Sequence, residues 1–236
     1  MMKISKIKKR HQLFLLMVLS TFFGLAMMIY RLNYIDFPLS KMNSVRELVI
    51  YRSPTFMFLV WNLFLAWIPY WIALLLKPTY SIFKSKIIFA VMLAFWLLFL
   101  PNAPYIITDL MHIHSQPPVP LWFDVLLFNT FAWTGMMVGF LSIFEVEQFL
   151  KTEMKMKYVD SLIMSILMLT GFGVYMGRFQ RWNSWDMFSR PTDVLSEISS
   201  VLIHPMQHLS TFGLAIVISV FLIIGYWFMK ILRLES

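Results

Sequence analysis

Eight side chains in this sequence could do chemistry together: Asp109, His112, Asp124, Asn129, Arg178, Arg181, Asn183 and Asp186. Asp109 and His112 stand three apart, which places both on one helix face. With Asp124 or Asp186 they could ligate a metal, or they could end a helix solvated or paired. No metal and no cofactor is expected. Arg178 and Arg181 carry planar donor forks that fit a phosphate or carboxylate; they could equally pair with Asp109, Asp124 or Asp186 as a structural network. Asn62 adds a further amide within an apolar run. His204 and His208 have the i, i+4 spacing of metal ligands, but Pro205 between them disturbs helix geometry, so they read as loop residues. No nucleophile motif, P-loop, dinucleotide fingerprint or H-E-x-x-H occurs.

The elements that must position these groups are membrane spans. Of 236 residues, 59% are hydrophobic and 14% charged, against about 25% charged in a soluble domain. Apolar runs cover about 12–30, 54–76, 87–110, 121–144, 159–179 and 210–230, each near the roughly 20 residues that cross hydrocarbon. The expected fold is therefore all-α: one integral membrane domain over 1–236, a polytopic bundle of about six transmembrane helices. Lys3, Lys6, Lys8, Lys9 and Arg10 precede the first run without a small-x-small site after it, as in an uncleaved signal anchor. The net charge of +8 comes from residues between the apolar runs. With no basic patch interleaved with aromatics, no nucleic-acid partner is expected. Cysteine is absent, which excludes disulfides, thiolate chemistry and S-acylation.

With the N-terminus inside, 13 Lys and Arg fall on the cytoplasmic side and 7 on the other. The positive-inside rule then places both termini in the cytoplasm. On this topology the candidate residues gather on the outer side, and the inner halves of the spans carry almost nothing comparable. Ionisable groups in hydrocarbon cost at least about 2.5–3.5 kcal/mol each, so they face a cavity or a partner. Trp182 and Trp185 suit an interfacial belt.

Local signals refine the outer side. Ser44-Val-Arg-Glu47 reads as a capping box opening a helix through Tyr51. Between Pro191 and Ile203, apolar residues recur at helical spacing, giving a helix that lies on the membrane surface or packs across the bundle top. Pro101 and Pro104 break the third span in its outer third. Asn102 is placed to cap a fresh half-helix from Ala103, whose positive end would favour an anion; the alternative is a kink satisfied by neighbouring helices. Gly135 and Gly139, and Gly173 and Gly177, are two G-x-x-x-G patterns on spans that could meet.

Three strings, LFLPNAPYIITDLMHI (98–113), WFDVLLFNTFAWTGMMVG (122–139) and GVYMGRFQRWNSWD (173–186), resemble the domain of unknown function 1361 family. The resemblance covers most of the chain from the second span onward. It implies a bacterial protein crossing the cytoplasmic (plasma) membrane several times, and it carries over no activity and no site residues.

The residues point to an anion- or lipid-headgroup-binding site in the outer half, lined by Asp109, Asp124, Arg178, Arg181, Asn183 and Asp186. The arginines would orient the ligand, and the carboxylates would bind its hydroxyl or amine groups or act as base. The expected partners are the lipid bilayer and an anionic small molecule or lipid headgroup, with a homo-oligomer possible. A small-solute transporter and a non-catalytic assembly subunit are the alternatives. A shared site requires Arg178 within about 15 Å of Asp109 or Asp124.

Overall fold

The computed structural model describes residues 2–35, 56–203 and 209–235, with side chains for 10–35, 56–201, 203 and 212–232. The Ser44–Glu47 capping box, His204 and His208 lie outside the described residues. In chain order the helices are α1 (Met2–Tyr34), α2 (Phe58–Phe83), α3 (Lys86–Phe99) and the short α4 (Asn102–Tyr105). A 3-10 segment follows at Ile106–His112. Then come α5 (Leu121–Thr152), α6 (Val159–Phe179), the short α7 (Asp186–Ser189), α8 (Pro191–Ile203) and α9 (Leu209–Glu235). Six stretches are long and apolar enough to cross a membrane, so the fold is an all-α polytopic bundle.

α5 is the central helix. Apolar residues occur nearly all round it; Trp122, Leu126, Asn129 and Trp133 leave one face of its first half exposed, while α1, α2, α4 and α6 all pack on it. One apolar layer, containing Met28, Leu59, Trp67, Phe128 and Phe131, joins α1, α2 and α5. A second, containing Trp96, Phe140, Ile163, Leu167 and Tyr226, joins α3, α5, α6 and α9. At 32 residues and about 1.5 Å each, α5 outreaches the roughly 30 Å of hydrocarbon.

That length corrects two expectations. The fourth span does not stop at residue 144, because Glu145 and Glu147 are carried inside the helix by partners rather than by water. Glu145 pairs with Arg10 at 2.7 Å. Glu147 takes Lys151 at 2.7 Å, Lys230 at 2.9 Å and the Tyr226 hydroxyl at 2.9 Å, while Asp160 takes both lysines. The end of the bundle bearing the chain termini therefore has a charge network of its own, with Glu147 and Lys230 buried. α2 likewise continues past Lys77, which pairs with Glu153 at 2.9 Å, and ends at Lys84.

The third span is bent without being split into two capped halves. Leu100 and Pro101 both keep right-handed helical backbone, against the usual bias before proline. Asn102 is not an N-cap. Its amide donates backwards to the Phe99 carbonyl at 2.8 Å and to Ser184 Oγ at 2.9 Å, and Ser184 Oγ donates to the Leu98 carbonyl at 3.0 Å. The Leu98 carbonyl is thus satisfied from the 180–185 segment and the Phe99 carbonyl from Asn102 within the bend. No fresh half-helix supplies a positive end, since α4 is a single turn that runs straight into the 3-10 segment.

The four patterned glycines serve this bend and do not meet one another. A Cβ on Gly135 would lie 2.8 Å from the Ala103 carbonyl oxygen, and one on Gly139 2.8 Å from the Ala103 Cβ. On the opposite side, a Cβ on Gly173 would lie 2.6 Å from Pro101 Cγ, and Gly177 faces the Tyr105 ring. The two G-x-x-x-G faces clamp the PNAPY turn between α5 and α6.

Candidate functional site

The rim of the bundle, the end that carries residues 100–120 and 180–203, is built around Arg178 in the last turn of α6. In a 3-10 helix residues three apart eclipse, so Asp109 and His112 project the same way from the Ile106–His112 segment. Arg178 meets both. Its Nη2 donates to Asp109 Oδ1, its Nε to Thr108 Oγ1 at 2.7 Å, and its Nη1 to His112 Nε2 at 2.7 Å. Because a guanidinium only donates, that His112 nitrogen accepts and its proton sits on Nδ1. The guanidinium carbon also lies 4.4 Å from the centre of the Tyr105 ring. Asn62 of α2 donates to the other carboxylate oxygen, Asp109 Oδ2, at 2.8 Å. Asp109 is buried with both oxygens engaged, which leaves it no role as a base.

Asp124 belongs to a different pair. Arg31 of α1 grips it bidentately, at 2.6 Å through Nε and 3.2 Å through Nη2, and both side chains are fully buried. The Phe56 ring covers that guanidinium at 4.0 Å, and Gln116 Oε1 accepts from it at 3.1 Å. Asn129 is exposed on the outside of α5 and returns its amide to the Val125 carbonyl at 2.8 Å, which satisfies it locally. Asp186 closes its own turn. It accepts from the Asn183 backbone N–H at 2.7 Å, the Asn183 amide at 3.2 Å, Ser189 at 3.3 Å and Arg190 at 3.2 Å. Burial alone would raise its pKa, but the Asn183 N–H, the Arg190 guanidinium and the Asn183 amide outweigh this and hold it below the usual carboxylate range.

A cavity of about 1310 Å³ opens beside these groups. Asn62, Asp109, His112, Arg178, Arg181 and Asn183 reach its wall. Asp124, Asn129 and Asp186 do not, so the eight candidates divide into five around the cavity and three elsewhere. Val194 and Ile198 of α8 also line it, so α8 packs across the bundle top. Among the described residues no group of three His, Asp or Glu side chains converges as metal ligands.

Charge at the cavity mouth is uneven. Arg178 is balanced by Asp109, and Arg190 by Asp186 with its guanidinium 4.9 Å from the Trp182 ring. Arg181 is exposed at the mouth and has no ion pair or hydrogen bond among the described residues. Chemically, the arrangement offers one unneutralised guanidinium, the unused N–H groups of Arg178, and an apolar wall.

Sequence reasoning missed Arg31, which reads as a topology charge at the end of a span. The signal available was Asp124 itself, since a carboxylate entering hydrocarbon needs a cation. It also missed Thr108, Tyr105 and Ser184, whose roles depend on the 3-10 turn and the bend.

No curated protein and no solved structure matches the chain. A sequence model of the family described as "Protein of unknown function (DUF1361)" matches residues 61–224, a range that holds the bend, the Arg178 cluster and Arg181. The chain belongs to that family.

Proposed function

We propose that the protein binds an anionic ligand in the rim cavity, with Arg181 as the primary grip and Arg178 as its pre-oriented neighbour. The observation that carries this reading is the contrast, among the described residues, between Arg181 and the other charges near the cavity: the others are mutually satisfied, and Arg181 faces the opening without an ion pair or hydrogen bond. A guanidinium fork suits phosphate or carboxylate oxygens. Arg178, fixed on three sides by Thr108, Asp109 and His112, would present its remaining N–H groups without losing side-chain freedom on binding.

Binding fits better than passage through the bundle. Between the rim cluster and the Glu147–Lys230 network lie Trp96, Phe131, Val138, Phe140 and Leu167, all buried and close-packed. An ion crossing that layer would lose its hydration without finding a partner. By the positive-inside rule the rim faces away from the cytoplasm, in the bacterial plasma membrane, and a second copy of the chain is compatible with the reading.

The test is a calorimetric titration of the full chain in detergent with inorganic phosphate. Arg181→Gln should weaken binding about tenfold, the loss of one charge-assisted contact, whereas Arg190→Gln should leave it near the parent value. Equal affinity in the parent and Arg181→Gln would remove the basis of the reading.

A further inference from the structure

The cavity is more than a headgroup cup. Its 1310 Å³ exceeds the roughly 300–1,000 Å³ of pockets for small soluble ligands, and the excess is not at the charged end. On α3 its wall is a stripe at helical spacing, Val91, Phe95 and Leu98, continued past the bend by Asn102 of α4. From Val91 to Leu98 this stripe advances seven residues along α3, a rise of about 10 Å at roughly 1.5 Å each. Facing this stripe are Leu169 and Phe172 of α6 and Phe188 of α7, whose ring stacks on Phe95 at 5.5 Å.

The slot is open to the side. α3 packs along α2 and α6 packs along α9, while α3 and α6 leave the cavity between them below the Pro101–Gly173 contact. Val91, Phe95, Leu169 and Phe188 line the cavity and are also exposed on the outer surface of the bundle, where lipid would cover them. A soluble anion would have no use for such a wall. A molecule with a hydrocarbon chain and an anionic head would match both parts, the chain against the apolar stripe and the head at the unneutralised Arg181.

We infer that the occupant is a phospholipid whose headgroup is net negative, which enters sideways from the bilayer, lays its chain in the α3–α6 slot and brings its phosphate to Arg181. This rests on the anion-binding reading above and names the ligand class for that same site.

The experiment is native mass spectrometry of the delipidated full chain. It would be titrated with phosphatidylglycerol, with phosphatidylcholine of the same chains, and with glycerol 3-phosphate, which carries a phosphate head without chains. Three variants accompany it: Arg181→Gln at the head, and Ala94→Trp and Leu169→Trp as independent fillings of the slot from its two walls. Ala94 and Leu169 are exposed, so neither substitution enters the packed core.

We expect one phosphatidylglycerol per chain, retained about tenfold more tightly than phosphatidylcholine, with Arg181→Gln abolishing that preference. Each slot filling should weaken phosphatidylglycerol about tenfold and leave glycerol 3-phosphate unchanged. If phosphatidylglycerol is insensitive to both fillings while glycerol 3-phosphate still depends on Arg181, the lipid inference fails and anion binding stands. If neither ligand depends on Arg181, both fail.

Discussion

Arg181 holds φ at 59° immediately beyond the end of α6, a left-handed conformation that costs a residue with a Cβ about 1–2 kcal/mol and is usually left to glycine at this position. Lys84 and Lys155 adopt φ of 48° and 52° past the ends of α2 and α5, so this chain repeatedly sets a cation beside terminal helix carbonyls, where the dipole favours it. The strain alone therefore does not mark a site; the position of Arg181 at the cavity mouth does. Arg178 and Asp109 behave differently, as a half-buried guanidinium held by a buried carboxylate. Replacing Asp109 with Asn leaves a guanidinium without its counter-charge, and we expect a loss of about 3–5 kcal/mol in detergent unfolding. Arg178→Gln combined with Asp109→Asn should recover most of that loss. If the double variant is no more stable than Asp109→Asn alone, the pair is not the unit described. At this scale the sequence marked which residues are costly in a membrane, and Arg178 beside Asp109 follows from that. It could not show that Asp124 had a nearer cation in Arg31, because α1 and α5 are brought together only by packing.

The bend at Pro101 is the element on which the rim depends, since it turns the third span into the 3-10 segment that aims Asp109 and His112 at Arg178. Its supports are small residues and borrowed hydrogen bonds. Gly173→Val would drive a side chain into the Pro101 ring, and overpacking of this kind costs about 1–3 kcal/mol. Ser184→Ala removes the hydroxyl that serves both Leu98 and Asn102, for about 1 kcal/mol. Thermal unfolding would separate these effects from Gly213→Ala, where a Cβ meets nothing within 4 Å. α7 adds a pH dependence. Asp186 has its folded pKa depressed, so its stabilisation is present above the ordinary carboxylate range, near 3.9, and is lost as pH falls through the lower folded value. Amide exchange over residues 183–190 should therefore accelerate between about pH 4 and pH 2, and Asp186→Asn should remove that change. The prolines, the glycines and the NSWD string were all visible beforehand. That they assemble into one joint was not, because the two glycine stripes look alike and only the fold shows that both face the bend.

For the molecule as a whole, span number and helix 159–179 follow directly from hydropathy, while the other boundaries depend on charges finding partners. Glu145 and Glu147 look like the end of a span until Arg10, Lys151 and Lys230 are seen beside them. The consequence is a bundle with ionic networks at both ends and an apolar layer between, a form suited to holding a ligand at one end. Its orientation is open to labelling, since the chain has no cysteine. An impermeant maleimide should modify Ser115→Cys in intact cells and spare Lys157→Cys; the reverse pattern would turn the rim to the cytoplasm. The central claim is that Arg181 keeps its charge for an anion. The most direct measurement is the melting temperature of the full chain and of Arg181→Gly, each with and without saturating phosphate. The variant should melt higher than the parent in the absence of anion, by the few degrees that about 1 kcal/mol confers, and should gain less than the parent when phosphate is added, by the roughly 1.4 kcal/mol that tenfold weaker binding removes. Equal phosphate-induced shifts in the two proteins would contradict that claim.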